Sequence, residues 1–249
     1  MTKPIFENFT DALTPQDSIP EEAIKSFNPE IWQRFCDGNA AFFEPLKSQF
    51  PRLFTVLTDE KTSPIYLLED KSRNLMTDKV TYSYHMWGLK HGENELKMLV
   101  NHTSLNGLKK ILYYQEFIDS IPKGFECFLD VAESFQFSHP NQSFQAVFAK
   151  FLSPHELSSL YYDMELPPTQ AERVAVAFPD QLFHVLLENF HQENYQKDMV
   201  FFDDTGRSPH LYGVKAGHYD QPFVMMNPIE HIDKFLADSL QGKEVKLFS

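Results

Sequence analysis

Glycine is scarce in this chain: nine residues in 249, against sixteen prolines and twenty-four phenylalanines. A backbone that cradles phosphate must come closer to it than a Cβ allows, so loops of that kind concentrate glycine. No Gly-x-Gly-x-x-Gly, no Walker loop and no Gly-x-Ser-x-Gly elbow occurs, which argues against nucleotide-loop and serine-elbow enzymes. Cysteine is scarcer still. Cys36 and Cys127 stand far apart, too few for a disulfide framework, so reduced thiols in a cytosol are expected. The sequons at Asn8, Asn101 and Asn141 then carry no glycan. Neither cysteine has a neighbouring cation to hold a thiolate, and both read as small buried apolar side chains.

Long apolar runs are missing as well. No stretch approaches the ~20 apolar residues of a membrane-crossing helix. The opening Met1-Thr2-Lys3-Pro4-Ile5-Phe6-Glu7 breaks any signal-peptide core with a proline and a glutamate, so a cytoplasmic location is expected. Positive charge is short too: 22 Lys and Arg face 35 Asp and Glu, a formal charge of −13. Nucleic-acid binding depends on cations neutralising phosphates. Lys109-Lys110 is the one adjacent basic pair, and no nucleic-acid partner is expected.

What the chain does have is apolar bulk. Forty-two per cent of residues are hydrophobic and 23% charged, enough for a buried core and against disorder. Helix starts are marked by a capping side chain, a proline and an acid. They stand at Ser18-Ile19-Pro20-Glu21, Asn28-Pro29-Glu30, Ser153-Pro154-His155-Glu156 and Asn227-Pro228-Ile229-Glu230, with Thr169-Gln170-Ala171-Glu172 similar. Helices are expected over 20–27, 29–37, 40–49, 107–119, 123–133, 143–151, 154–163, 170–177, 181–195 and 228–240. Strands are expected at Leu53–Leu57, Ile65–Glu69, Val80–Trp87 and Leu96–His102. A second group follows: Met199–Asp203, a turn at Asp204-Thr205-Gly206-Arg207, Leu211–Val214, then Phe223–Met226. That reads as an antiparallel hairpin plus one more strand, closed by the last helix. Strands and helices gathered into separate blocks indicate an α+β fold, antiparallel sheet blocks packed with helices. The chain reads as a single unit over 1–249, or as two closely packed subdomains joined near 103–122.

The best metal-like spacing is His184-x-x-x-Glu188-x-x-His191, with Tyr195 four residues on. On the helix expected there, these residues share a face, and Glu-x-x-His is half of a di-iron carboxylate motif. The second copy is missing, and Phe183, Leu186, Leu187 and Phe190 form an ordinary buried stripe beside it. A polar helix flank is therefore the plainer reading, and no metal or cofactor is expected. Asp203 and Asp204 end an apolar strand, but adjacent strand residues point to opposite faces, so a hairpin turn fits better than a carboxylate pair. No catalytic residue is assigned. A hydrolase or transferase site assembled from dispersed His, Asp and Glu stays open as the alternative.

The aromatic doublets Phe42-Phe43, Tyr113-Tyr114, Tyr161-Tyr162 and Phe201-Phe202 are expected to set one ring inward and the other on a flank or surface. Most close a core; a minority would anchor a partner, because interface centres concentrate aromatic rings. With −13, such a surface would steer toward a basic partner.

Two segments carry a family resemblance. Ile118-Asp119-Ser120-Ile121-Pro122-Lys123-Gly124-Phe125-Glu126-Cys127-Phe128-Leu129 resembles the Pro step into a Phe-Leu helix of the Smi1/Knr4-like, or SUKH, superfamily. The tail, with its hairpin, the strand Pro222–Met226 and Ile232-Asp233-Lys234-Phe235-Leu236, is similar to that family's closing strand and helix. The likeness lies within 106–249, covers about a third of the chain, and lacks the family's Asn-Gly-Gly turn, where Glu133-Ser134-Phe135 stands. Residues 1–105 have no counterpart in it. Many bacterial members are immunity proteins, so the resemblance implies a non-enzymatic protein that binds and neutralises a toxin, here a basic toxin domain.

Overall fold

Between Asn94 and Leu99 every second side chain is buried, the period-two pattern of a strand with one face against a core. The computed structural model describes residues 9–14, 19, 21–73, 80–100, 121–132, 134–139, 142–147, 155–156, 182–190, 197–203, 211–218, 221–243 and 245–248. In them the strands are β1 (Phe9–Leu13), β2 (Tyr66–Arg73), β3 (Val80–His91), β4 (Asn94–Leu99), β5 (Ser134–His139), β6 (Gln142–Val147), β7 (His155–Glu156), β8 (Leu182–Phe190), β9 (Lys197–Asp203), β10 (Leu211–Val214) and β11 (Phe223–Val224). They form one antiparallel sheet in the order β1-β2-β3-β4-β5-β6-β8-β9-β10-β11, with β7 added beside β8. The helices are α1 (Glu21–Ser26), α2 (Pro29–Cys36), α3 (Asn39–Phe42), α4 (Pro51–Leu57) and α5 (Pro228–Leu240). The fold is α+β.

The expected hairpin, third strand and closing helix of the last fifty residues are present. Leu211 pairs with Phe202 and Val214 with Met199, Tyr212 pairs with Val224, and α5 spans the expected 228–240. Helix α2 also starts as read, with the Asn28 side chain accepting from the Glu30 N–H at 2.8 Å. The strands expected near 65–69, 80–87 and 96–102 correspond to β2, β3 and β4.

Other expectations are corrected. Leu53–Leu57 is not a strand but lies in α4. Pro51 stands at its first turn, and Leu53, Val56 and Leu57 are buried at helical spacing. The helix expected over 40–49 stops at Phe42 and gives way to a 3-10 turn at Glu44–Leu46, since Pro45 cannot donate to a continuing helix. That expected over 123–133 is a 3-10 segment, Glu126–Asp130. Residues 143–147 form β6, not a helix: Ser134–His139 offers a hairpin partner, in register from Ser134↔Val147 to His139↔Gln142. His155 and Glu156 do not open a helix; they pair with Phe183 and Leu182.

Residues 182–190 form strand β8 rather than a helix, held between β6 and β9. A bulge between Val185 and Leu187 breaks the alternation and leaves both Leu186 and Leu187 buried. The bulge thus imitates helical spacing in the sequence. The helices expected over 107–119 and 170–177 and the turn at 204–207 lie outside the described residues.

One face of the sheet meets the helices. Trp87 of β3 is fully buried there, with ring centroids of Phe35, Phe42 and Phe27 at 4.6, 5.2 and 5.1 Å. Both rings of Phe42-Phe43 and of Phe201-Phe202 are buried, so these doublets place no ring on the surface. Phe42-Phe43 ends a helix wedged against the sheet, and β9 is buried on both of its faces from Asp198 to Phe202. The doublets at 113–114 and 161–162 lie outside the described residues. Cys36 is exposed, not buried, and Cys127 is half-buried; both are free thiols. Burial, then the charge of Glu126, pushes the Cys127 thiol up to about 12, which leaves it protonated and a poor nucleophile.

Truncating Trp87 removes the ring that three aromatic partners share. Trp87→Ala is expected to destabilise the fold by about 3–5 kcal/mol, read as a lowered denaturation midpoint. An unchanged midpoint would show that the core is organised around other residues.

Candidate functional site

Four consecutive apolar residues, Phe223-Val224-Met225-Met226, cannot all face inward along a strand, because successive side chains alternate. Met225 is buried, whereas Phe223, Val224 and Met226 are 37, 50 and 82% exposed. They are the exposed large apolar side chains among the described residues. β11 is also an edge of the sheet. The Met225 N–H donates to the Leu211 carbonyl at 2.8 Å. By antiparallel alternation Val224, opposite Tyr212, therefore turns its own N–H and C=O away from β10 to the open side. Pro222, two residues earlier, shares that outward direction and has no N–H to offer.

Beside this edge lies an open cleft of about 780 Å³, lined from four directions. The start of α4 contributes Pro51 and Arg52, the 122–125 loop contributes Lys123, β11 contributes Val224, and the start of α5 contributes Pro228 and Glu230. Its volume is in the range of ordinary ligand pockets, and no histidine among the described residues lines it.

Asp233 sets the geometry. It is buried on α5 (3% exposed) and accepts from the N–H groups of Leu53 at 2.8 Å and Arg52 at 3.1 Å. Helix α4 has no side-chain cap of its own, so a carboxylate some 180 residues away satisfies its first amides. Burial pushes the Asp233 carboxyl above its ordinary range, against the downward pull of those two N–H bonds and of the Arg52 charge. Helix α5 begins at Asn227, which is left-handed (φ 49°) and makes no capping bond with its side chain.

Gly124 fixes the remaining wall. Its φ is +96°, and a Cβ there would stand 2.5 Å from Ile229 Cδ1. The positive φ is what favours glycine here, since the end of the Ile229 side chain can swing aside.

The candidate metal ligands are not brought to this cleft. His184 and Glu188 lie on β8, separated by its bulge, and His191 lies outside the described residues. The helical face that would have aligned them is replaced by a strand. Among the described residues no group of three or more His, Cys, Asp or Glu is placed to hold a metal ion. Asp203 ends β9, and Asp204 lies outside the described residues. Two histidines are engaged elsewhere: His91 Nδ1 is 2.7 Å from Thr62 Oγ1, whose proton goes to the Val56 carbonyl, and His231 Nε2 bonds the Leu247 carbonyl. No described helix is long and apolar enough to cross a membrane.

Of the cleft residues, sequence reasoning missed Arg52, Lys123 and Asp233, and it missed Gly124 in the loop beside them. The unbroken apolar run at 223–226 was the one signal available for its rim. Comparison of the chain with family models, with characterised proteins and with solved structures finds no match.

Asp233→Ala is expected to lower stability by about 1–2 kcal/mol through loss of the cap, and Gly124→Ala by about 1–3 kcal/mol through strain and contact. A carboxyl raised in the fold binds its proton more readily there than in the unfolded chain. The wild type should therefore gain stability relative to Asp233→Asn as the pH falls from neutral toward the ordinary carboxylate range. Denaturant titrations of both proteins at neutral and mildly acidic pH measure this; a difference of the opposite sign would contradict the assignment.

Proposed function

We propose that this chain is a non-enzymatic, cytoplasmic protein-binding protein, of the immunity type that its SUKH-like segments imply, and that it docks its partner on β11 and the adjoining cleft. The observation that carries the reading is the exposure of Val224, which lines an open cleft, together with that of Met226 and Phe223 at the same sheet edge. Single exposed apolar residues need no explanation, but adjoining ones on a sheet edge mark interaction surfaces. Apolar anchors supply affinity, and the net charge of −13 steers a basic partner such as a toxin domain during encounter.

The test is a co-purification with the product of the adjacent gene. A stoichiometric complex is expected, and Val224→Asp combined with Met226→Asp should weaken it by about a hundredfold, the scale of two lost anchor residues. Added salt should slow association more than it speeds dissociation. Recovery of the chain without a stoichiometric partner, or full binding by the double variant, would overturn the reading.

A further inference from the structure

The formal charges of the described cleft lining cancel, Arg52 and Lys123 against Glu230 and Asp233, whereas the whole chain carries −13. Arg52 and Lys123 are both exposed on that lining. The Lys123 ammonium forms no ion pair with another described residue, and the Arg52 guanidinium acts on Asp233 only through space. Of the two carboxylates present, Asp233 is buried with both oxygens held by α4 amides, which leaves Glu230 as the one exposed acid of the lining. Among the described lining residues the exposed charges are therefore two cations and one anion. The remaining lining is largely apolar, from Pro51 and Pro122 to Val224 and Pro228. The N–H and C=O of Val224, turned away from β10, add backbone groups at the edge beside the cleft.

We infer that the cleft takes an extended peptide segment of the protein partner in which bulky apolar side chains flank a carboxylate. The apolar side chains lie along Val224 and Pro228 and out over the neighbouring Met226, and the carboxylate sits between Arg52 and Lys123. The inference rests on the partner-binding reading and names the chemistry recognised there. A partner with a basic exterior is consistent with it: the long-range field acts on the whole partner, whereas the cleft reads one side chain after contact.

Two probes test it on the full chain: a short acetylated, serine-flanked peptide of leucine and valine with a central glutamate, and its twin with lysine in place of glutamate. Titrated into isotope-labelled protein, the glutamate peptide should shift the amide signals of Arg52, Lys123, Val224 and Met226. It should also bind about tenfold tighter than its twin, the effect of exchanging an attractive for a like-charge contact. Lys123→Glu, a surface substitution at a residue with no ion pair to another described residue, should reverse that preference while the thermal midpoint stays unchanged. Equal binding of the twins, shifts confined to another surface, or no shifts up to the solubility limit would overturn the inference. If the gene-neighbour complex still forms and still depends on Val224 and Met226 in that event, the partner-binding reading stands and the acidic anchor alone falls.

Discussion

Two helices that are distant in the chain meet through one carboxylate. Asp233 lies on α5, yet the groups it satisfies are the first amides of α4. Without it α4 would begin against the core with unpaired donors, a costly arrangement wherever water is excluded. Because α4 and α5 form two walls of the cleft, its shape follows from that contact. The charge pattern follows too, since the carboxylate that caps α4 is unavailable as an open acid and leaves Arg52 exposed.

The behaviour of individual segments shows why some of this fold is legible in sequence and some is not. Helix α5 and the three strands before it follow from local chemistry: Asn227-Pro228 at the start, Gly242 beyond the end, and short apolar runs between turn residues. Helix α4 does not, because its cap comes from residue 233 and no local pattern records it. Strand β8 is harder still. Its apolar residues at 183, 186, 187 and 190 have helical spacing, and only pairing with β6 and β9 together with a bulge shows why a strand places them so. Strand β6 depends in the same way on β5. Tertiary pairing overrode local periodicity in both cases.

The site had the same split character. The apolar run at 223–226 was visible, but not which of its side chains would remain outside. Arg52 and Lys123 are ordinary surface cations in sequence and become a pair only when α4 and the 122–125 loop converge. Gly124 matters because its φ of +96° suits a residue without a side chain, a conformation no neighbouring sequence pattern records. The aromatic doublets pointed elsewhere: Phe42-Phe43 and Phe201-Phe202 are interior packing. Among the described residues the exposed large apolar side chains are Val224 and Met226 together with the single ring of Phe223.

Strand β11 has only two residues, and Pro222 removes one of the outward donors beside it. An edge so short and so interrupted is a poor template for a copy of itself, since a continuous ladder requires several donors and acceptors in sequence. A terminal strand of greater length with the same apolar side chains would invite runaway stacking of one molecule on the next. Two residues expose too few backbone groups for a copy of the chain to extend the sheet through this edge.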